Sequence, residues 1–335
     1  MFGDFLKFLL PLYRMPHLNF DPGKGAKAIA IVRGGDEDGN ILYLHEDSPD
    51  GSKPKVASKK GHAISANKYT TELRSVKPQE RVRLMARLEE ARDKGLDPDQ
   101  LIGETALGKQ LYERILSDET ASKEVSLESG AFELLPSADP KKRDVFYIAG
   151  ASGSGKSYIA KGLGEYYQKL FPDRHVYLIS KLAEDAGTLD KMKPPAKRIN
   201  IQSLIDDFPN LDEFKNCMVI FDDYDTFTGP AEKIVHKLID DLATMGRHTN
   251  TTMLCLSHYL TNYKKTRLLL NEATHIVVYP MATSFHALNY LLKTHVGMMK
   301  DDIRDLKKMG RWICIFKNFP QYIVSGQHAR MLIRD

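Results

Sequence analysis

One stretch, Asp144 to Tyr158 (DVFYIAGASGSGKSY), constrains the fold more than any other part of the chain. It reads as a short apolar strand from Val145 to Ala149, a glycine-rich turn and the opening of a helix. Gly150, Gly155, Lys156 and Ser157 fit G-x-x-x-x-G-K-[ST] over its full length, in the strand–turn–helix context that this pattern requires. Glycines at 150, 153 and 155 let the backbone curl tightly. The N–H groups of Gly150, Ala151, Ser152, Gly153, Ser154, Gly155, Lys156 and Ser157 can then converge on phosphate oxygens at the positive end of the new helix. Lys156 can reach the β- and γ-phosphates, and the Ser157 hydroxyl is placed to hold a Mg²⁺ that bridges them. The expected cofactors are therefore ATP and Mg²⁺.

The apolar runs that follow are short and bounded by turn residues, as in a buried parallel sheet. Tyr158 to Leu170 reads as a helix ended by Pro172-Asp173, and His175 to Ser180 as a second strand. Leu204 to Phe214 reads as another helix. Cys217 to Phe221 (CMVIF) is then a continuous apolar strand closed by Asp222 and Asp223. Such a strand delivers carboxylates to the rim where ligands bind. Asp222 would hold the Mg²⁺ shell and Asp223 would orient or deprotonate the attacking water, unless the pair only caps the turn. Gly229 to Met245 reads as a helix, and Thr252 to Leu256 as a fourth strand ending in Ser257-His258. His258 is a candidate sensor of the γ-phosphate, or a structural histidine. Arg247 is a candidate transition-state cation, in its own site or a neighbouring subunit's, or an ordinary salt-bridge partner. Thr274 to Tyr279 gives a fifth strand, residues 284 to 308 read as helical, and Trp312 to Phe316 with Tyr322 to Val324 read as a closing hairpin at the sheet edge.

Ahead of the phosphate loop lie about 140 residues, enough for a second unit. Ala28 to Val32 and Ile41 to Leu44, separated by GGDEDGN, signal a β-hairpin. A polar loop follows, where Lys53, Lys55, Lys59 and Lys60 are solvated or contact phosphate. From Lys77 to Ser117 the pattern is helical, with Val82, Met85, Leu88 and Ala91 near one face and Gly95 as a stop. Ser126 to Leu135 reads as extended, and SADPKKR (137 to 143) as a hinge. The expected organisation is a smaller α+β accessory domain over residues 1–140 and a three-layer α/β domain with a mostly parallel sheet over 141–335.

Three cysteines, each inside an apolar run, read as buried reduced thiols and place the chain in an intracellular setting. The apolar start, MFGDFLKFLLPLY, carries Asp4 and is too short to span a bilayer, so it reads as a docking or core element and no membrane partner is expected. A net charge of +4 mildly favours a polyanionic partner.

GASGSGKS, a strand ending Ser180-Lys181 with Asp185 downstream, MVIFDD, and GRHTNTTMLCLSH together resemble the FtsK/HerA superfamily of P-loop ATPases. Within it they are most similar to the genome-packaging ATPases of large double-stranded DNA viruses. The resemblance covers residues 143 to 335. It implies nucleotide binding at Gly150 to Ser157, metal at Ser157 and Asp222, water activation at Asp223, and γ-phosphate contacts from Arg247 and His258. It also implies that the fourth strand lies between the phosphate-loop strand and the acidic strand. The family usually has Gln where this chain has His258, although histidine can also donate a hydrogen bond. The implied function is ATP-driven translocation of viral DNA into a capsid by a homo-oligomeric ring. Double-stranded DNA and capsid or portal proteins would be its partners, in the infected-cell cytoplasm or the virion. Lys264, Lys265 and Arg267, or Lys307, Lys308 and Arg311, would grip the duplex or merely solvate helix faces. Two other functions fit the loop: a small-molecule kinase, against which stand the acidic pair and the lack of an arginine-rich lid, and a nucleotide-binding scaffold without turnover.

Overall fold

A computed structural model describes residues 16–20, 22, 25–46, 69, 72–93, 96, 98, 101, 103–121, 124–182, 184 and 187–332. The apolar start, Lys53, Lys55, Lys59, Lys60, Gly95 and Asp185 lie outside the described residues. In chain order the elements begin with β1 (His17–Asn19), β2 (Lys27–Arg33), β3 (Ile41–His45), α1 (Pro78–Asp93), α2 (Ala106–Ala121), β4 (Glu124–Ser126) and β5 (Ala131–Leu134). Next come β6 (Val145–Ala149), α3 (Lys156–Leu170), β7 (Val176–Ser180), β8 (Lys197–Arg198), α4 (Ile201–Asp206), β9 (Met218–Asp222) and α5 (Gly229–Met245). The chain closes with β10 (Thr252–Ser257), α6 (Arg267–Glu272), β11 (His275–Val278), α7 (Phe285–Leu291), α8 (Lys300–Leu306), β12 (Ile313–Phe316), β13 (Tyr322–Ser325) and β14 (His328–Met331).

Ten strands form one sheet in the order β4-β14-β13-β12-β11-β6-β10-β9-β7-β8. From β11 to β8 neighbours run parallel, and β11 through β14 pair antiparallel. The interposed fourth strand, β10, lies between β6 and β9, as the resemblance implies. Alternation along β6 shows why the sheet is buried on both sides. Val145, Tyr147 and Ala149 join one apolar cluster with Val235, Leu238, Ile239 and Leu242 of α5, while Phe146 and Ile148 join another with Ala160, Leu163 and Tyr167 of α3. Burying each large aliphatic chain of α5 contributes about 1.5–3 kcal/mol, more than any intrinsic preference for helix.

The chain separates into two compact units differently from a single break at residue 140. Residues 16–46 and 125–140 pack with the phosphate-loop region. Their four-stranded sheet, β1-β3-β2-β5, places Val32, Leu42, Leu44 and Phe132 in the same cluster as Phe146 and α3. The other unit contains α1 and α2, whose core is Leu84, Met85, Leu88, Leu111, Tyr112 and Ile115 with Tyr69 and Leu73. Val82 is not on that face: it is 71% exposed, and the buried stripe runs through Leu84 instead.

Three other expectations are corrected. The helix read over Leu204 to Phe214 is broken: α4 ends at Asp206, and a separate 3-10 turn, Leu211–Phe214, follows Pro209. Proline has no N–H and restricts the residue before it, and Asn210 and Glu213 cap the new turn reciprocally. The helix read over 284 to 308 is divided at Gly297, whose φ of 76° ends a π turn before α8 begins. The closing hairpin continues into β14, so it is not the sheet's edge. No helix among the described residues is long and apolar enough to cross a membrane.

Candidate nucleotide site

Parallel register brings the functional segments to one rim of the sheet. Ala149 aligns with Ser257 and Ser180 with Asp222, so the loop after β6, the tip of β10 and the acidic end of β9 emerge side by side. The loop backbone is held by Gly150 N–H donating to Ser257 O at 3.0 Å. Gly155 caps α3 with φ 113°, a conformation L side chains rarely adopt. Gly150 is required for a different reason. A Cβ there would meet Cδ2 of the buried Tyr279 at 2.6 Å. Gly150→Ala is accordingly expected to force Tyr279 or the loop aside and to lower stability by about 1–3 kcal/mol, the usual cost of overpacking. Thermal unfolding checks this. Adding Tyr279→Val should recover much of the loss, and a Gly150→Ala protein as stable as the parent would contradict the contact.

Lys156 is 4% exposed. Its ammonium donates to Gly150 O at 3.0 Å and Ala151 O at 3.4 Å, and lies 3.5 Å from Asp223 Oδ1. Asp223 sits in left-handed backbone, φ 42° and ψ 45°, which aspartate tolerates better than most residues. That bend separates the roles of the two acids. Asp222 is buried and accepts from Ser180 Oγ at 3.0 Å, while its Oδ1 has no hydrogen-bond partner. Burial, reinforced by the Asp223 carboxylate, pushes the Asp222 carboxyl above its usual range.

The histidine is oriented by a residue that sequence reading missed. Asp225, buried beneath the rim, accepts from His258 N–H at 2.8 Å and Ser257 Oγ at 3.1 Å, and lies 3.3 Å from His258 Nδ1. Nδ1–H donating to this carboxylate leaves His258 Nε2 facing Asp223 Oδ1 at 3.7 Å. That gap is too long for a direct hydrogen bond and leaves His258 Nε2 available to a water or ligand at the rim. Lys156, Asp223, His258 and Asp225 thus form one connected chain of polar side chains.

Arg247 is not part of this group. It is exposed in the turn before β10, at the opposite end of that six-residue strand. At about 3.3 Å per residue, this places it roughly 20 Å from the loop. The own-site option for Arg247 is therefore removed by the strand's direction.

An orphaned Asp222 oxygen fits the Mg²⁺ that the loop implies, as does a Ser157 hydroxyl with no protein partner among the described residues. No group of three His, Cys, Asp or Glu side chains able to hold a metal occurs among the described residues. The donor set suits an ion that completes its shell with phosphates and waters. On the outer side of the loop, a cavity of about 300 Å³ is lined by Ala151 to Ser154, Tyr279, Met281, Ala282 and Arg311. Arg311 donates to Gly153 O at 3.1 Å. Tyr279 and Arg311 were also missed as site residues, because only the tertiary fold brings β11 and the turn before β12 against the loop.

A phosphate loop on β6, acids on β9 and an interposed β10 define the fold as that of a P-loop NTPase with an additional central strand. The chain belongs to the same family as protein V3 of Sputnik virophage, described as uncharacterized, to which it is 32% identical over 231 residues, 67% of this chain and 91% of that protein. No protein-family model matches the chain. Similar solved structures include the genome packaging NTPase B204 from Sulfolobus turreted icosahedral virus 2 in complex with AMPPCP, at 14% identity and TM-score 0.38, covering 56% of this chain and 98% of that chain. The cytoplasmic domain of the Thermomonospora curvata type VII secretion ATPase EccC is similar at 14% identity and TM-score 0.37, covering 55% and 25% respectively. The pCW3 conjugation coupling protein TcpA, with ATPγS, is similar at 13% identity and TM-score 0.34, covering 63% and 66%.

Proposed function

We propose that the chain hydrolyses ATP and uses the energy to move duplex DNA into a viral capsid. The observation that carries the ATPase half is the convergence of Asp223 and His258 on Lys156 at the loop. Backbone amides of residues 150–157 would hold the triphosphate, and Ser157 and Asp222 would hold Mg²⁺, which when bound would neutralise phosphate charge. Lys156 would leave its loop carbonyls to meet the γ-phosphate. Asp223 would take the proton of the attacking water, and His258, fixed by Asp225, would hold that water or the γ-oxygen. The cavity beside Tyr279 and Arg311 suits the nucleoside. Arg247, exposed and with no carboxylate partner among the described residues, could serve only a neighbouring subunit's site, as in a ring.

The DNA half rests on the sequence resemblance. Its test is the ATPase rate with and without duplex DNA across a salt series. The rate should rise with DNA, and the stimulation should fall steeply as salt increases, because phosphate contacts release counterions. A rate indifferent to DNA at every ionic strength would overturn translocation. Turnover that appears only when a small phosphate acceptor is added would identify a kinase.

A further inference from the structure

We infer that Ser180, at the tip of β7, is a positioning residue for the metal: its hydroxyl holds one oxygen of Asp222 and so reserves the other for Mg²⁺. This rests on the ATPase function proposed above and gives a role to a strand-end serine that the function leaves without one.

The sheet places the two residues on one face. Val176, Leu178 and Ser180 alternate along one side of β7, and Met218, Ile220 and Asp222 along one side of β9. Val176, Leu178, Met218 and Ile220 all join the apolar cluster that contains Ala160 and Leu163 of α3. Ser180 and Asp222, aligned in register, are the next step of those two rows. They therefore emerge on the α3 side of the rim, where Ser157 lies in the first turn of that helix.

Counting protons fixes the direction of the bond between them. An ionised carboxylate, the form that binds a cation, has no proton to give, so the buried Ser180 hydroxyl donates to Asp222 Oδ2 at 3.0 Å. Its oxygen meanwhile accepts from Leu182 N–H at 3.2 Å. Asp222 Oδ1 is left buried with no hydrogen-bond partner, an arrangement that costs free energy until a cation or water meets it. The segment behind Ser180 is itself anchored. Leu182 O accepts from Arg198 Nη1 at 2.8 Å, Arg198 pairs with Asp190 at 2.5 Å, and the Lys181 ammonium donates to Thr226 O at 3.3 Å. A continuous run of hydrogen bonds thus leads from Arg198 on β8 through Leu182 and Ser180 to Asp222. A ligand oxygen aimed before the ion arrives has little freedom left to lose, which is how partners behind the ligands tune metal affinity.

The test titrates Mn²⁺, which takes the same oxygen ligands as Mg²⁺, into the full-length chain carrying a non-hydrolysable ATP analogue, with protein in excess so that little free nucleotide competes. The EPR signal of free Mn²⁺ reads the affinity. Ser180→Ala should weaken Mn²⁺ binding about tenfold or more, the usual cost of losing a partner behind a metal ligand. Affinity for the analogue in the presence of a chelator should stay at the parent value. In an Asp222→Ala background, Ser180→Ala should cost nothing further, because its partner is gone. Ser180→Cys, close in size and only a weak donor, should give a smaller loss in the same direction, and it carries the test if the alanine variant does not fold. Parent-like Mn²⁺ affinity in both variants would overturn the assignment. So would an equal loss of analogue affinity in chelator, which would make Ser180 a support for the loop, or an undiminished loss in the Asp222→Ala background. If the parent complex holds Mn²⁺ no more tightly than the free analogue does, or if Asp222→Ala leaves Mn²⁺ binding unchanged, the metal site of the proposed ATPase fails and this role with it. If both of those controls behave as expected and only the Ser180 variants disagree, the positioning role alone fails.

Discussion

Replacing Asp223 with asparagine is expected to leave ATP bound and to stop its hydrolysis. The amide is almost isosteric, and asparagine is among the few residues that tolerate the left-handed backbone at this position. The loop that would hold the nucleotide keeps its shape, because Gly150 N–H still bonds Ser257 O and Lys156 still reaches Gly150 O. The group that accepts the water's proton is lost. General-base removal of this kind lowers turnover by about 10²–10⁴-fold. Equilibrium ATP binding and single-turnover hydrolysis, measured on one preparation, separate the two effects. Parent-rate hydrolysis would take Asp223 out of the reaction. Loss of binding would instead mean that its contact with Lys156 holds the site together.

What the sequence disclosed follows how locally each feature is encoded. The loop after β6, the acidic end of β9 and helix α5 are each written in consecutive residues, and all three stand at the expected positions. Helices interrupted within a run were less legible. The break at Pro209 has a local cause and could have been read, whereas the division at Gly297 occurs in a stretch whose apolar spacing continues across it. Val82 misled because it is apolar and near the stripe, yet it stands two positions before the buried Leu84, which on a helix of 3.6 residues per turn puts it on the other side from the Leu84–Leu88 face. Pairing partners are not local at all. Nothing in residues 16–46 announces that their sheet packs beside Phe146 and α3. The same limit hid Asp225, which reads as one more acid after Asp222-Asp223 until Ser257 and His258 are seen to bond it. Tyr279 likewise acquires its meaning only where it closes over Gly150.

Lys156→Ala should abolish ATP binding while leaving the chain folded, and the two halves of that expectation have separate physical reasons. In the structure the ammonium is buried among two carbonyls and one carboxylate. Removing it forfeits those contacts but also relieves the desolvation of a buried charge, and these effects oppose one another. Facing a triphosphate they no longer do. The variant rim presents Asp222 and Asp223 to a polyanion with no side-chain cation between them, and the loss of a preorganised charge of this kind costs about a hundredfold or more. The measurement that reads both is thermal unfolding with and without Mg²⁺-ATP. At ligand about 100-fold above the parent's Kd, the parent should gain about 2.7 kcal/mol of stability through binding linkage, and the variant about 0.4 kcal/mol or less. A variant that keeps the full ATP-dependent shift would mean that the backbone amides of residues 150–157 suffice to hold the phosphates. The ammonium at 3.5 Å from Asp223 would then serve the acid rather than the nucleotide.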